Sequence, residues 1–537
     1  MNVYLYGCGP EQRRQWLMVD LGITFPEGEF DPGVDVILPD LRFIEEERQN
    51  LLGIVLTHAH EDHFGAVLDL WPRLKVPVYA TPFTVGLLKA KMAENGVRLP
   101  IPIHKLPIGG RVTLGPFEIE LVTMAHSIPE PNALAIRTPH GMVLHTGDWK
   151  IDATPVTGPP TDSARLDALG RAGIDVLVCD STNAMREGIS PSEREVASTL
   201  AKLVREAPRR VAITTFASNV GRVLAVAEAA RAAGRRLVIA GRAMHRIIEV
   251  AKETGYLPRS LEVLDQREFE YQAAHEVVAL CTGSQGESRA AMARIAEGTH
   301  PDIALGKDDL VIFSSRTIPG NEKSVGRIQN LLTRRGCRVL TDTDGLVHVT
   351  GHPRREELKR MYAWCRPRVA IPMHGEARHL AAHAELARAA GVPHVEVVYN
   401  GEMIRLAPGT PERIDEAPSG RLFRDGRLIV PSGEGPVRER RRLALVGIVV
   451  VSLVLSRQGE VLAEPEVAFD GVPNELADGE MLEDRVLDVV EGTLKGIKRE
   501  RRRDAGLVTE AVRRAARAAV AEVWGKKPIC KVLLTRI

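Results

Sequence analysis

Residues 57–63 read Thr57-His58-Ala59-His60-Glu61-Asp62-His63 and follow a short apolar run at 54–56. The run predicts a buried strand, which places three histidines and an aspartate on the turn that leaves it. Neutral imidazoles suit zinc, a carboxylate adds negative charge, and each ligand lies about 2.0 to 2.2 Å from the ion. A lone histidine is usually a core or surface residue, but so dense a cluster predicts a metal site. A tight turn can aim these ligands at two adjacent ions.

The composition is that of a folded, soluble chain. With 537 residues there is room for about three domains. Hydrophobic residues make up 44% and charged residues 26%, which excludes wholesale disorder. Since 71 Lys and Arg balance 70 Asp and Glu, a nucleic-acid partner requires local basic patches. Only 4% of the residues are aromatic, which argues against a protein that binds single strands mainly by base stacking.

Three features favour the cytoplasm and no membrane partner. The first ten residues lack the basic segment of a secretory signal. The six cysteines are scattered and include no C-x-x-C pair, as expected in a reducing compartment. The longest apolar run, 443–456, is too short to span a bilayer comfortably, so it predicts a buried strand.

The order of predicted elements divides the chain. Up to about residue 180, short apolar runs alternate with turns, which predicts mostly strands. Ser190-Pro191-Ser192-Glu193 then predicts a helix start with Ser190 as its N-cap. From there to about 342, strands and helices alternate, which implies a parallel α/β unit. A helix at 354–364, a strand at 368–374 and a helix at 376–390 follow.

The C-terminal part is predicted to be a separate module. Residues 407–437 are rich in Pro, Gly and charge and form the candidate linker. The module itself combines the Val-rich run with basic clusters at 438–442, at 498–503 and at Arg513, Arg514 and Arg517. These clusters are either solvated surfaces or RNA contacts, and composition does not separate the two.

Two other patterns resemble motifs without completing them. His379 and His383 have the spacing of a zinc-protease helix, but the glutamate base is missing, which favours an exposed helix face. Gly306-Lys307 and Gly525-Lys526 lack the rest of a nucleotide-binding loop, so no nucleotide dependence is expected.

The His-x-His-x-Asp-His pattern of residues 58–63 resembles the metallo-β-lactamase superfamily. Asp20, in Met18-Val19-Asp20-Leu21-Gly22, resembles the aspartate that orients the metal loop in that superfamily. His126, in Ala125-His126-Ser127-Ile128-Pro129, resembles its third-motif ligand, and Asp148, in His145-Thr146-Gly147-Asp148, its bridging carboxylate. Each of these residues is predicted to end a strand, where a ligand belongs.

The α/β insertion points to the β-CASP nucleases, and four phrases resemble the ribonuclease J family. They are Asp180-Ser181-Thr182-Asn183, Cys281-Thr282-Gly283-Ser284-Gln285-Gly286-Glu287, His348-Val349-Thr350-Gly351-His352 and Ile371-Pro372-Met373-His374-Gly375-Glu376. The resemblance covers nearly the whole chain. It implies an α/β (α+β) fold, in which a metallo-β-lactamase αββα sandwich (1–189 and 351–432) carries an inserted β-CASP parallel α/β domain (190–350) and a small C-terminal α+β domain (440–537).

The resemblance also implies two zinc ions per chain. His58, His60 and His126 would hold one ion, Asp62, His63 and His374 the second, and Asp148 would bridge them. Two ions about 3.5 to 4 Å apart can share a water, and a bridging hydroxide would attack the phosphodiester. His352 would act beside the leaving 3′-oxygen, with manganese or magnesium as alternative ions for activity. The expected catalytic set is Asp20, Asp62, Asp180 and His352.

One ligand and one loop favour RNA. The position of His374 tends to be histidine in the RNA branch of the β-CASP enzymes and valine in the DNA-repair branch. The turn at Thr350-Gly351 resembles the loop that holds a 5′-monophosphate through backbone N–H groups and hydroxyls, although any such turn can simply be a turn. Ser284 is either part of the RNA channel or part of a strand-to-helix turn. The expected RNA and 5′-phosphate contacts are His348, Val349, Thr350, Gly351, His352, Ser284 and Ser314.

The start departs from the usual family pattern. The family usually has an extra strand and a Gly-Glu-Ile-Gly turn ahead of the segment that begins here at Asn2-Val3-Tyr4. Either Met1 is an internal start, or the first sheet dispenses with a strand and exposes an edge. The metal ligands are the same in both cases.

The leading hypothesis is a zinc-dependent ribonuclease of RNA maturation and decay, including rRNA processing and mRNA decay. It predicts 5′-to-3′ exonuclease activity, with endonuclease activity as a further expectation. A non-catalytic RNA-binding partner subunit is opposed by the complete ligand set, and a hydrolase of a small substrate by the insertion and His352. The family further implies RNA with a 5′-monophosphate as substrate, a homodimer or homotetramer, and an RNA-decay helicase as partner.

Overall fold

A computed structural model describes residues 1–26, 28, 30–433, 435–476 and 479–537. Residue 434 of the candidate linker therefore lies outside the described residues. The chain forms two compact units, one of Met1–Thr24 and Leu38–Gly420, the other of Phe25–Ile37 and Arg421–Ile537.

The elements before residue 190 are mostly strands, as the sequence predicts. The strands are β1 (Tyr4–Cys8), β2 (Gln15–Val19), β3 (Val36–Pro39), β4 (Leu51–Val55), β5 (Val78–Ala80), β6 (Ile103–Lys105), β7 (Arg111–Leu114), β8 (Phe117–Thr123), β9 (Asn132–Thr138), β10 (Gly141–His145) and β11 (Val176–Asp180). The helices are α1 (Arg42–Glu46), α2 (Glu61–Phe64), α3 (Val67–Leu74), α4 (Pro82–Glu94) and α5 (Ser163–Ala172).

Strands and helices then alternate. Between 190 and 350 they are α6 (Glu193–Glu206), β12 (Val211–Thr214), α7 (Val220–Ala232), β13 (Arg236–Ala240), α8 (Arg242–Glu253), β14 (Leu264–Asp265), β15 (Val277–Cys281), α9 (Ala291–Glu297), β16 (Leu310–Phe313), α10 (Glu322–Arg334) and β17 (Arg338–Leu340). The first unit ends with α11 (Arg355–Cys365), β18 (Val369–Met373), α12 (Ala377–Ala389), β19 (His394–Val395), β20 (Glu402–Arg405) and β21 (Glu412–Glu416).

Two sheets of the first unit pack face to face. One has the order β1-β2-β4-β5-β6, with β1 at its edge, and the other the order β19-β18-β11-β10-β9-β8-β7. Leu17 and Val55 of the first sheet share one buried cluster with Phe117 and Leu134 of the second. Helices α5, α11 and α12 bury apolar side chains against the opposite face of the seven-stranded sheet. This layering forms the ββα part of the predicted αββα sandwich.

The inserted domain is a parallel sheet, as predicted. Its strand order is β14-β13-β15-β12-β16-β17, and every described pair is parallel. The N-cap of α6 is Ser192, not Ser190, because the Ser192 side chain and Glu195 form a capping box. Ser190 bonds elsewhere, since its N–H donates to Glu357 and its hydroxyl to the carbonyl of His352.

The second unit contains two three-stranded sheets. Its further elements are β22 (Arg421–Asp425), β23 (Leu428–Pro431), α13 (Pro436–Val446), β24 (Ile448–Leu455), β25 (Glu466–Asp470), α14 (Leu482–Gly496), α15 (Ala505–Trp524) and β26 (Ile529–Arg536). The sheets have the orders β23-β22-β3 and β25-β24-β26. Every second residue of β24 is buried in a cluster with α14 and α15.

The candidate linker contains regular structure that its composition did not indicate, namely β21 and the antiparallel hairpin of β22 and β23. One prediction about this region was wrong. The run 443–456 is not one strand, because its first residues belong to α13 and Gly447, with a φ of 62°, separates that helix from β24. Among the described helices, none has both the length and the apolar character needed to cross a membrane.

Candidate metal centre

The candidate ligands follow the carboxyl ends of neighbouring strands. Asp20 follows β2 and residues 57–63 follow β4, and these two strands pair in parallel. Asp148 and His374 follow β10 and β18, and Asp180 is the last residue of β11, which pairs in parallel with both of these strands. Because the carboxyl ends of parallel strands lie at the same edge of a sheet, side chains far apart in sequence meet there.

The structure brings the predicted ligands into two groups that share Asp148. Group A is His58, His60, His126 and Asp148, and group B is Asp62, His63, His374 and Asp148. In each group, one ligand atom per residue lies within 4.8 Å of the others. Oδ2 of Asp148 lies 3.8 Å from Nε2 of His58 and 3.2 Å from Nε2 of His63, so this carboxylate faces both groups.

Two rings of group A are oriented from outside the group. Nδ1 of His126 donates to the carbonyl oxygen of Gly351 at 2.6 Å. The hydroxyl of Thr57 donates a hydrogen bond to Asp20 at 2.8 Å and lies 3.0 Å from Nδ1 of His58. Because its only proton is directed at Asp20, this hydroxyl accepts a hydrogen bond from Nδ1 of His58. Since each Nδ1 carries a proton, each neutral ring presents the lone pair of Nε2 to the group.

The inward nitrogens of group A converge. Nδ1 of His60 lies 3.1 Å from Nε2 of His58 and 3.0 Å from Nε2 of His126. Burial lowers the pKa of His60 to about 4 and holds the pKa of His58 and His126 well below the ordinary value. Three neutral imidazoles whose nitrogens converge fit a zinc ion.

Group B combines two imidazoles with two carboxylates. Nδ1 of His63 donates to Asp20 at 2.7 Å, so Nε2 faces inward, 3.5 Å from Asp62. Nε2 of His374 lies 3.2 Å from Asp62 and 3.6 Å from Asp148. Burial opposes ionisation of Asp148, but the neighbouring His374 and His63 outweigh it and hold its pKa well below the usual range. No described residue donates a hydrogen bond to its buried Oδ1, so this oxygen is available to hold a metal ion.

Asp180 binds His352 directly and contacts His374 of group B through Thr182. Its Oδ2 accepts from Nδ1 of His352 at 2.7 Å, and its Oδ1 accepts from the hydroxyl of Thr182 at 2.7 Å. The same hydroxyl lies 2.7 Å from Nδ1 of His374 and accepts a hydrogen bond from it. His374 and Asp20 adopt left-handed backbone conformations, with φ of 54° and 61°. Such strained residues often cluster at functional sites, where surrounding contacts hold them in place.

Four family models match successive parts of the chain. They are the Beta-lactamase superfamily domain (30–215), the Ribonuclease J beta-CASP domain (208–332), the Zn-dependent metallo-hydrolase RNA specificity domain (338–398) and the Ribonuclease J C-terminal domain (435–537).

Known relatives match over almost the full length. Ribonuclease J of Sinorhizobium meliloti is 51% identical over 537 residues, which are 100% of this chain and 95% of that protein. The chain belongs to the ribonuclease J family. Ribonuclease J of Mycolicibacterium smegmatis is 40% identical over 96% of this chain and 91% of its own length, and that of Corynebacterium glutamicum 37% identical over 97% and 72%. The resemblance and the fold class predicted from the sequence are thereby confirmed.

In this ribonuclease J-family centre, His352 lies beside both groups. Its ring centroid is 5.1 Å from that of His126 in group A and 5.3 Å from that of His374 in group B. Its side chain is 20% exposed, so the ring reaches the surface while Asp180 holds Nδ1. This placement suits a group that contacts a substrate bound at both metal positions.

The loop 348–352 is positioned by contacts with Asn183 and His126. The hydroxyl of Thr350 accepts from Nδ2 of Asn183 at 2.8 Å and from the backbone N–H of His352 at 3.2 Å. Gly351 approaches His126 so closely that a Cβ atom would lie 2.5 Å from the ring. Among the described residues, none accepts a hydrogen bond from the backbone N–H groups of 348–351.

Four of the expected RNA contacts, including Gly351, are largely inside the protein. Ser314 is fully buried, and its hydroxyl donates to the carbonyl oxygen of Val347 at 2.7 Å. Val349 and Ser284 are also buried, whereas His348 is half-buried. The Ser314 hydroxyl is therefore engaged within the fold rather than presented at the surface.

Sequence reasoning missed Asn2. Its side-chain Nδ2 lies 3.2 Å from Oδ2 of Asp62 and 3.1 Å from Nε2 of His63, and its Oδ1 accepts from the hydroxyl of Tyr4. Nothing in the local pattern marks this asparagine. Gly22 carries a weak signal, since it follows the Asp20 motif, and a Cβ atom there would lie 1.8 Å from the carbonyl oxygen of Asp62.

The expected exposed position of His383 was wrong. His383 is fully buried, with Nδ1 at 2.9 Å from the hydroxyl of Ser181 and Nε2 at 2.9 Å from the hydroxyl of Tyr362. It lies on the apolar face of α12, between Leu380 and Ala387, and this face packs against the seven-stranded sheet. The helical spacing of those apolar residues was the available signal.

Proposed function

We propose that this chain is a two-zinc ribonuclease that degrades RNA from the 5′ end towards the 3′ end, with internal cleavage as a second activity. As a member of the ribonuclease J family, the chain is a metal-dependent ribonuclease. The observation that carries the finer proposal is the pair of ligand groups around Asp148, with His352 beside both. Group A would hold one zinc ion and group B the other.

When bound, the two ions supply Lewis-acid activation of a water and positive charge at the phosphodiester. The surrounding residues hold protons at defined atoms. Asp20 keeps Nδ1 of His63 protonated, so Nε2 remains a ligand. Burial opposes protonation of His352, but the neighbouring Asp180 and Asp148 outweigh it and raise its pKa to about 9, so the ring is an imidazolium. Its Nδ1 donates to Asp180, and its Nε2 is the atom that donates to a phosphate oxygen or to the departing 3′-oxygen.

The loop 348–352 is the proposed 5′-phosphate site. The hydroxyl of Thr350 already accepts two hydrogen bonds, so its own proton is available to a phosphate oxygen. The consecutive backbone N–H groups of 348–351 offer further donors of the kind that form anion-binding concavities. This loop is directly joined to group A through the Gly351 carbonyl and His126.

Digestion of one internally labelled RNA tests the proposal. The RNA carries either a 5′-monophosphate or a 5′-hydroxyl, and each digestion is run with zinc alone or with added manganese. We expect early release of mononucleotides and a preference for the monophosphate. Discrete internal fragments as the main early products would contradict the 5′-to-3′ activity.

A histidine pair tests the role of His352. His352→Ala should lower turnover at least about a hundredfold, because a positioned proton donor is lost, while the bound metal per chain is unchanged. His140→Ala removes an exposed histidine from the turn between β9 and β10 and serves as the matched control. Wild-type turnover in His352→Ala would rule out this role.

Several further expectations belong to the same proposal. They are the domain boundaries at 1–189, 190–350, 351–432 and 440–537, a homodimer or homotetramer, an RNA-decay helicase as partner and a cytoplasmic location. Elemental analysis of the purified protein would test the expectation of two zinc ions, and light scattering the expected assembly.

A further inference from the structure

The loop 348–352 follows the carbonyl group of Val347, which accepts hydrogen bonds from two buried side chains. The carbonyl oxygen of Val347 accepts from the hydroxyl of Ser314 at 2.7 Å and from Nη1 of Arg222 at 3.0 Å. Both side chains are fully buried. They belong to the inserted parallel domain, Arg222 on α7 and Ser314 just after β16.

Arg222 is itself held by several partners. Nη1 donates to the carbonyl oxygen of Ser314 at 3.0 Å and contacts the Ser314 hydroxyl, and Nη2 pairs with the buried carboxylate of Glu193 at 2.9 Å. A buried guanidinium with a paired carboxylate is costly to disturb, so this arrangement keeps one geometry. Its direction towards Val347 is therefore fixed by the inserted domain.

The far end of the loop has separate anchors. The carbonyl oxygen of His352 accepts from the hydroxyl of Ser190 at 3.2 Å and from Nδ2 of Asn183 at 3.3 Å. The carbonyl oxygen of Gly351 accepts from His126. The metal-side end of the loop is thus held independently of Arg222 and Ser314.

We propose that Arg222 and Ser314 are positioning residues for 5′-end recognition, because they set where the N–H groups at the entry of the loop point. This inference rests on the proposed 5′-phosphate site. It explains why Ser314, which resembles an RNA contact in the sequence, is fully buried. Loss of either side chain moves the entry of the loop and leaves His352 and the metal ligands in place.

The test compares two variants with a matched control. Ser314→Ala removes one of the two donors to Val347 without removing a charge, and Arg222→Lys keeps the charge but loses the forked geometry. Thr214→Val is the control, since Thr214 is equally buried, lies beside Ser314, and has a hydroxyl that bonds to no described residue.

The measured quantity is the ratio of kcat/KM for the same RNA with a 5′-monophosphate and with a 5′-hydroxyl. We expect this ratio to fall about threefold to tenfold in Ser314→Ala, as the loss of one hydrogen bond implies, and further in Arg222→Lys. Thr214→Val should retain the wild-type ratio. Metal content and the rate of internal cleavage should stay at the wild-type level in all three variants.

Two results would overturn the inference. One is a wild-type ratio in Ser314→Ala and Arg222→Lys, and the other is an equal loss on both RNAs, which a merely structural role would produce. If Arg222→Lys does not fold, Ser314→Ala alone decides. If the wild-type enzyme does not distinguish the two RNAs, the 5′-phosphate site itself fails and the inference fails with it.

Discussion

Groups A and B share Asp148 but differ in exposure and in charge. In group A, His58 and His126 have almost no exposed side-chain surface. In group B, the Asp62 side chain is 38% exposed and the His374 side chain 16% exposed. Group A contributes three imidazoles beside the shared carboxylate, whereas group B contributes a second carboxylate.

This difference gives the two groups different chemistry. In group A only His60 is a half-buried ligand side chain. A set of imidazoles that is mostly buried favours a tightly held zinc ion, because water cannot readily replace the ligands. A more exposed set with an added carboxylate is better suited to exchange with a harder ion such as manganese. Group B is therefore the position at which we expect metal exchange and contact with RNA.

The largest effect is expected at the residue that both groups share. Asp148→Asn removes the negative charge between them, and we expect activity to fall at least about a thousandfold with loss of bound metal. RNA hydrolysis and elemental analysis measure the two effects. Asp162→Asn is the matched control, because Asp162 caps α5 and asparagine caps a helix equally well. Retention of both metals and full activity in Asp148→Asn would remove the basis of the comparison.

A smaller effect separates the groups. Thr57 and Thr182 play the same part, since each hydroxyl accepts from a ligand histidine and donates to an aspartate. We expect Thr57→Val and Thr182→Val each to weaken metal binding by about tenfold to a hundredfold. The loss should be larger for Thr57, which is fully buried, because water can replace the half-buried Thr182 hydroxyl.

Titration with a chelator, followed by elemental analysis, measures the loss of metal affinity in the two variants. Each variant is the control for the other, because both remove one hydroxyl from a threonine that orients a ligand. Equal losses, or a larger loss in Thr182→Val, would contradict the assignment of the deeper site to group A.

The smallest effect concerns a histidine outside both groups. Burial lowers the pKa of His383 to about 4, so the unfolded chain binds a proton that the folded chain excludes between about pH 4 and pH 6.5. Stability should therefore fall as the pH drops through this window. Between about pH 7.5 and pH 5, the contribution of His383 to this loss should be about 2 kcal/mol. In His383→Gln, which does not titrate, the free energy of unfolding should depend correspondingly less on pH.

Denaturant titrations of both proteins at the two pH values measure this difference. The result bears on group A, because it shows whether burial alone keeps an imidazole neutral in this fold. The same pH dependence in His383→Gln as in the wild type would contradict that explanation.

Most elements were predictable, but their ends and connections were less so. The strands that lead to residues 57–63, to Asp148 and to Asp180 follow from short apolar runs, which report burial locally. The N-cap of α6 was misplaced by two residues, because two serines precede the same helix and the choice depends on the distant partners of Ser190. The strands in the candidate linker were missed because charge and glycine obscure the short alternation of β22 and β23.

The kinds of ligand could be read from the sequence because imidazole and carboxylate chemistry belongs to individual residues, and a dense turn such as 57–63 concentrates it. Their orientation could not be read in this way, since it depends on groups that folding brings together. His126 is oriented by Gly351, 225 residues away, and His352 by Asp180, 172 residues away. Burial of Ser314 likewise results from the packing of whole elements, which no local pattern around this residue specifies. The local sequence therefore specifies the donor atoms, and the packed strand ends decide which lone pairs face one another.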